Sequence, residues 1–422
     1  VSLLSEAAMS SPEFDQQIER YAEVIVRVGV NLQPGQRLYM RAPLAAAPLA
    51  RAVARVAYQA GAPLVDVLWN DEQLALARLQ HAPRDSFGEF AHWYVDSAMA
   101  AIERGDAFVS LVSDTPGLLA GQDQAAIAMM MQTAGRHSEP VGAQIQRNAV
   151  PWTVAGAANP GWADKVFPDA EADTRAALLW QAIFSACRIN RPDPVAEWKS
   201  HIAELSARAA YMTGRRYSAL RYRGPGTDLT VGLPAGHIWA GGGGNSLGGT
   251  PFVANLPTEE IFTLGHRERA AGVVRASRPL NLGGVLVEDF ALTFKDGRVV
   301  EARAARGEEV LRRTLDADEG AARLGEVALV PTSSPIAASG LLFANTLYDE
   351  NAASHLAVGR AYRFNLEGGT GMSEEEFGAA GGNFSTIHVD FMIGSAELEI
   401  DGLTTDGASE PVMRAGEWAF AV

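Results

Sequence analysis

RLYMRAPLAAAPLARAVARVAYQAGAPLVDVLW, residues 37–69, decides the architecture of the first half of the chain. Arg37–Met40 and Leu64–Trp69 are short apolar runs, and Ala45–Ala60 between them is a longer helical stretch. Two strands separated by a helix-length crossover lie parallel, with helices covering the faces of the sheet. Outward from this unit the same alternation recurs in Arg84–Arg104, Phe108–Val112 and Ala125–Gln132. Upstream, Ile18, Tyr21, Val24, Ile25 and Val28 repeat at helical spacing from Phe14 until Pro34-Gly35 breaks the pattern. Three adjacent methionines, Met129 to Met131, point in different directions on one helix, which predicts a helix buried all round.

Further along, Glu171–Ile189 and Val195–Met212 read as bridging helices. After Arg216 the pattern shifts to short β-type runs with Gly-rich turns: Tyr217–Tyr222, Leu229–Val231, Gly284–Phe294 and Val299–Ala302. Asp296-Gly297 supplies a hairpin turn, because this pair tolerates positive φ. The expected organisation is a loose tail over 1–13, an α/β domain with mainly parallel sheet over 14–212, and a mixed α+β domain carrying the chemistry over 213–422. No fixed-period repeat suggests a solenoid.

Length and charge narrow the function classes. The 422 residues suffice for two or three domains and a substantial core. Thirty-five Lys and Arg against fifty Asp and Glu give a net charge of −15, which repels phosphate backbones and anionic lipid, so no nucleic acid and no membrane is expected as a partner. Bound divalent cations would offset part of that charge. Cys187 is the only cysteine; it excludes thiolate-rich zinc sites and intrachain disulfides, sits in an apolar helical context, and fits a reducing, cytoplasmic compartment. The run Gly241–Gly249 lacks the Lys-Ser/Thr ending of a phosphate loop and reads as a flexible connection.

The ligand-type residues fall in the second half. His388 and Asp390 lie two apart in a β-type run, Ser385–Ile393, so both project from one face of a strand. Glu326 opens the otherwise apolar Val327–Val330, where a carboxylate costs free energy unless it is paired or bound to a cation. Asp349 to Tyr362 reads as one helix, with His355 and Tyr362 seven apart on one side. Glu260 closes Pro257-Thr258-Glu259-Glu260. Together Glu260, Glu326, Glu350, His355, His388 and Asp390 offer four carboxylates and two imidazoles, a set suited to two borderline divalent ions, although each residue alone would also serve as a surface ion pair or an ordinary polar contact.

Asn255–Phe262, Gly272–Ser277, Leu324–Val330, Gly340–Phe343, Thr346–His355 and Gly381-Gly382-Asn383 leading to His388-Val389-Asp390 resemble the M29 family of metal-dependent aminopeptidases. The similarity is dense over 217–422 and looser before it. It implies a two-domain homodimer with two divalent ions per subunit, Zn, Co or Mn, that removes amino-terminal residues from peptides. Carried over by position, Glu260, Glu326, His355, His388 and Asp390 match metal ligands, with Glu259 as the alternative to Glu260. Glu350 matches a carboxylate at the metal centre, ligand or proton carrier, and Tyr362 an active-site tyrosine. Glu350 or Glu326 would then move a proton to the leaving amine, and Tyr362 would stabilise the oxyanion. The rival readings are another dinuclear hydrolase, a phosphoesterase or amidohydrolase, and a non-catalytic metal-binding protein.

Overall fold

The computed structural model describes residue 9, residues 11–282 and residues 285–422. The loose tail expected over 1–13 lies outside the described residues up to residue 8 and at residue 10. From Pro12 onward the backbone is helical: the Ser11 cap hydroxyl accepts from the Phe14 N–H at 3.2 Å and Pro12 occupies the first turn, so the helix Pro12–Val24 starts two residues before Phe14. Chain contacts define two compact units, which interleave along the sequence.

The first unit runs to Ser200 and takes in 243–257 and 342–347. Its sheet carries, in spatial order, Asn255–Leu256, Trp152–Gly156, Ala107–Val112, Leu38–Pro43 and Val65–Asn70, every neighbouring pair parallel. The quoted stretch is therefore strand, helix Ala47–Gln59, strand, with Leu49, Val53 and Val56 of the helix buried. Two details depart from expectation. Residues 84–104 split into a short 3-10 turn, Arg84–Gly88, and a helix, Trp93–Arg104. The methionine helix, Gln124–Gln146, is not buried all round: Met129 and Met131 are exposed, because three consecutive apolar residues span more of the helix circumference than its packed face covers. Cys187 is fully buried, as its apolar surroundings suggest.

The second unit comprises 201–242, 258–341 and 348–422. A nine-stranded sheet contains the hairpin Val285–Lys295 and Arg298–Arg306, turned at Asp296-Gly297. A five-stranded sheet has the order His388–Met392, His355–Gly359, Leu324–Leu329, Ile261–Thr263, Ala240–Gly241, antiparallel throughout. One of its faces enters the main core through Ile261, Val327, Leu329, Leu356, Val358 and Phe391. The glycine run forms, in the first unit, a small hairpin of Gly244–Asn245 against Pro251–Phe252.

The helix expected from Asp349 to Tyr362 does not form. Thr346–Asp349 is a single helical turn, Glu350–Ala352 a 3-10 turn, and His355–Gly359 a fully buried central strand. A strand covered on both faces shows no period-two alternation, so pairing on two sides overrides the helical reading of a short apolar run.

Candidate metal centre

Register in the five-stranded sheet dictates which side chains share a face. Glu326 pairs with Ala357, and Ala357 pairs with Asp390; Ala328 pairs with His355, and His388 with Gly359. Directly paired residues project to the same side, so Glu326, His355, His388 and Asp390 all leave the face opposite the core. Phe262 pairs with Ala328 and shares that face, and Glu260, two residues earlier, joins it at the strand entrance. Between these donors the sheet offers the small residues Ala328, Ala357 and Gly359, which leaves room over the strands. Gly359 has φ of +101°, and a side chain there would overlap the Ile387 carbonyl oxygen, so the position opposite His388 accepts glycine alone.

The result is two donor triads that share one residue. Glu260, Glu326 and His355 bring one ligand atom each within 4.8 Å of one another, and Glu326, His388 and Asp390 do the same. His355 Nε2 lies 3.1 Å from Glu260 Oε2 and 3.6 Å from Glu326 Oε1; His388 Nε2 lies 3.8 Å from Glu326 Oε2 and 3.2 Å from Asp390 Oδ1. Each carboxylate oxygen of Glu326 thus faces a different imidazole.

The rings are held for ligation. His355 Nδ1 donates to the Ala353 carbonyl at 3.1 Å and His388 Nδ1 to the Arg360 carbonyl at 2.7 Å. A carbonyl only accepts, so Nδ1 carries the hydrogen in each ring and Nε2 of the neutral form presents its lone pair to the carboxylates. Glu260 Oε2 and Asp390 Oδ1 are buried and accept no hydrogen bond among the described residues, in spite of the nearby imidazoles. Lone pairs converging from both sides, two of them on buried oxygens without a donor, fit a cation between them. Carboxylate oxygens with imidazole nitrogens are the donor chemistry of Zn, Co and Mn sites.

Electrostatics point the same way. Burial, with the charges of Asp390 and Glu260, pushes the Glu326 carboxyl up to about 7, against the hydrogen bond of His355. Burial pulls the His388 ring down, but Asp390 and Glu326 outweigh it and lift it to about 9. His355 is raised for the same reason, with Glu260 and Glu326 overcoming burial. Carboxylates outnumber imidazoles two to one in the six-residue cluster, an excess of acidic donors that suits a cation.

Glu350 is outside both triads. It lies close enough to feel them: burial, then Glu260 and Asp390, hold its carboxyl well above the usual carboxylate range, which favours its protonated form. Tyr362, past the end of the His355 strand, packs its ring 5.1 Å from that of His388, inside a cluster with Phe262 and Phe364. Burial and the carboxylates of Glu326, Asp390 and Glu350 raise its hydroxyl, which keeps the O–H as a donor. Glu259, the alternative to Glu260, turns elsewhere: its carboxylate lies 3.5 Å from His201 Nε2, and its N–H donates to Asn351 Oδ1 at 2.7 Å. Asn351, fully buried beside Glu350, ties the Glu260 segment to the Glu350 turn. Nothing in its sequence context marks it, because the bond spans 92 positions.

The fold and this donor set are those of a metal-dependent hydrolase. Residues 14–418 match the family model described as thermophilic metalloprotease (M29). The chain is 45% identical to aminopeptidase AmpS of Bacillus subtilis over 96% of its own length and 99% of that protein, and 46% identical to aminopeptidase T of Thermus thermophilus over 96% and 99%. The solved structure of wild-type AmpT from Thermus thermophilus superposes with a TM-score of 0.92, at 45% identity, over 96% of this chain and 100% of that one. The chain belongs to the M29 family of metal-dependent aminopeptidases. It is a peptidase that acts on peptides and uses a divalent metal. Among the described residues no helix is long and apolar enough to cross a membrane.

Proposed function

We propose that the chain releases the amino-terminal residue of peptides at a dinuclear centre, where Glu260, Glu326 and His355 would hold one divalent ion and Glu326, His388 and Asp390 the other, Glu326 belonging to both donor sets. The observation that carries this reading is the shared triad geometry, in which the two oxygens of Glu326 face different imidazoles. Bound there, Zn, Co or Mn would supply the Lewis acidity that amide hydrolysis needs near neutral pH. Glu350, outside the triads and with its carboxyl raised well above the usual range, would hold the proton that the departing amine requires. The Tyr362 hydroxyl donates to the carbonyl oxygen as negative charge develops on it, a contribution of about 3 kcal/mol where such a donor is preorganised.

Catalysis is assigned to the C-terminal α+β part, 213–422, and the α/β part, 14–212, is taken as its companion domain. The family resemblance supports a homodimer, and a single buried thiol is compatible with a cytoplasmic setting. Gel filtration with light scattering reads the former directly. The activity is tested with a chromogenic aminoacyl amide, its N-acetylated form and a phosphate monoester, each with Zn, Co or Mn added. Turnover of the free-amine substrate alone is the expected result. Cleavage of the ester, or equal cleavage of the blocked amide, would overturn it.

A further inference from the structure

The parallel sheet of the first unit carries a second recess. From Leu38–Pro43 the chain steps to Val65–Asn70 on one side and then to Ala107–Val112 on the other, so the strand order reverses beside Leu38–Pro43. In open parallel sheets, ligand crevices form beyond the carboxyl ends of the strands at such a reversal. A cavity of about 450 Å³ occurs there, and all four main strands contribute to its lining through the residues that follow them: Leu44, Glu72, Asp114 and Asn159 are one from each.

The lining decides the ligand class. No Lys, Arg or His borders the cavity, whereas Asp71, Glu72 and Asp114 do. A phosphate or dinucleotide, the usual guest of such a crevice, would meet three carboxylates and no cation. Asp71 is committed to capping, accepting from the Gln73 N–H at 3.0 Å. Glu72 is fixed in place: it accepts from the Thr115 N–H at 2.7 Å and from the Thr115 hydroxyl at 2.6 Å. The floor beside it is buried and rigid, with Asn159 donating to the Ser113 carbonyl and accepting from the Trp162 N–H at 2.8 Å. Asp114 has neither a hydrogen bond nor an ion pair to its carboxylate among the described residues. Asp114 is exposed at the cavity mouth, where partial burial and the charge of Glu72 raise its pKa, a shift that a cation between the two would offset. Leu44, Leu118, Pro43 and Pro160 supply apolar wall.

We propose that this cavity binds a primary ammonium carried on an apolar body, with Glu72 and Asp114 receiving the charge and the Leu44 and Leu118 side receiving the body. A free amino acid suits it poorly, because its own carboxylate would face the same two acids. Simple amines, and peptide amino termini whose carboxylate is remote, remain as sources.

The test is calorimetric titration of the full-length, metal-loaded protein with 3-methylbutylamine, leucine, leucyl-glycyl-glycine and inorganic phosphate. Saturable binding of the amine is expected, at least tenfold tighter than leucine, with no binding of phosphate. That binding should fall at least tenfold in Asp114→Asn combined with Glu72→Gln, and persist in Glu326→Gln, which alters only the metal triads. If the double variant folds poorly, Asp114→Asn alone and Leu118→Trp, which fills the cavity, serve in its place. To separate the two sources, the tripeptide is titrated into Glu326→Gln, where peptide turnover is disabled. Equal binding of tripeptide and amine there identifies peptide termini as guests; binding of the amine alone restricts the site to simple amines. Absence of saturable amine binding, undiminished binding in the cavity variants, loss of binding in Glu326→Gln, or tighter binding of phosphate would each overturn the proposal.

Discussion

Glu72 in the parallel-sheet unit receives two hydrogen bonds from Thr115, whereas Glu260 and Asp390 in the antiparallel unit each keep a buried oxygen that no donor serves. Both regions bring carboxylates together, but Glu72 is half-buried and Asp114 exposed, whereas the carboxylates of the second are largely withdrawn from water and must compensate for lost hydration. In the first the compensation is mostly built in, from a backbone N–H and a hydroxyl, and only Asp114 is left over. In the second the protein turns lone pairs toward lone pairs, with each imidazole Nδ1 tied to a carbonyl and each Nε2 facing oxygen. That arrangement is stable only with protons or cations between the groups. The contrast separates a carboxylate whose lone pairs are already served by protein donors from carboxylates left facing other lone pairs.

The largest effect that would break the comparison comes from Glu326, the residue common to both triads. Glu326→Gln turns one of the two carboxylate oxygens into an amide NH2 that cannot ligate and removes the negative charge common to both triads, and hydrolysis of an aminoacyl amide should fall by about a thousandfold or more, measured as kcat/KM at saturating metal. Retained activity would mean that Glu326 does not join the two ions. Tyr362→Phe should lower kcat by roughly a hundredfold with metal content unchanged, since it deletes an oxyanion donor and no ligand. A loss of metal in that variant would move Tyr362 from chemistry to structure.

The pH dependence of the metal-free protein sharpens the same point. Glu326 is raised in the folded state from 4.5 to about 7, and His388 from 6.5 to about 9. Each group binds more protons folded than unfolded, so its contribution is complete below the unfolded value and is lost as pH rises through the folded one. Metal-free protein should therefore lose stability between about pH 5 and 9, by on the order of 3 kcal/mol for each group, and metal should flatten the curve. Thermal unfolding from pH 5 to 9 with and without chelator reads this. A smaller effect is expected for Asn351→Ala, which frees the Glu259 N–H and loosens the segment bearing Glu260: metal affinity should drop by roughly ten- to a hundredfold, as for other groups that orient ligands. Smallest, Thr115→Val in the other recess should cost about 1–2 kcal/mol in denaturant unfolding, because Glu72 loses one of its two donors, and should leave metal content untouched.

Much of this was legible in the chain. The strand, helix, strand reading of 37–69 and the strand character of 325–330 and 385–393 rest on local pattern, and the structure has strands at Leu38–Pro43, Val65–Asn70, Leu324–Leu329 and His388–Met392. The helical reading of 349–362 puts His355 on the wrong element, since a strand buried on both faces looks locally like a short helix. Convergence itself was not legible from spacing. It depends on the register that sets Glu326, Ala357 and Asp390 in line across three strands, and register is fixed by long-range packing of the core face. The same limit hides Asn351 and the cavity at the strand ends, which exist only once distant segments meet.

Metal stoichiometry is the most direct test of the central claim. Purified protein is loaded in turn with Zn, Co and Mn, freed of excess, and its metal per chain determined by mass spectrometry alongside Glu326→Gln. The account predicts two ions per chain in the natural sequence and fewer than one in the variant. Two ions retained without the Glu326 carboxylate, or a single ion at saturation in the unaltered protein, would contradict it.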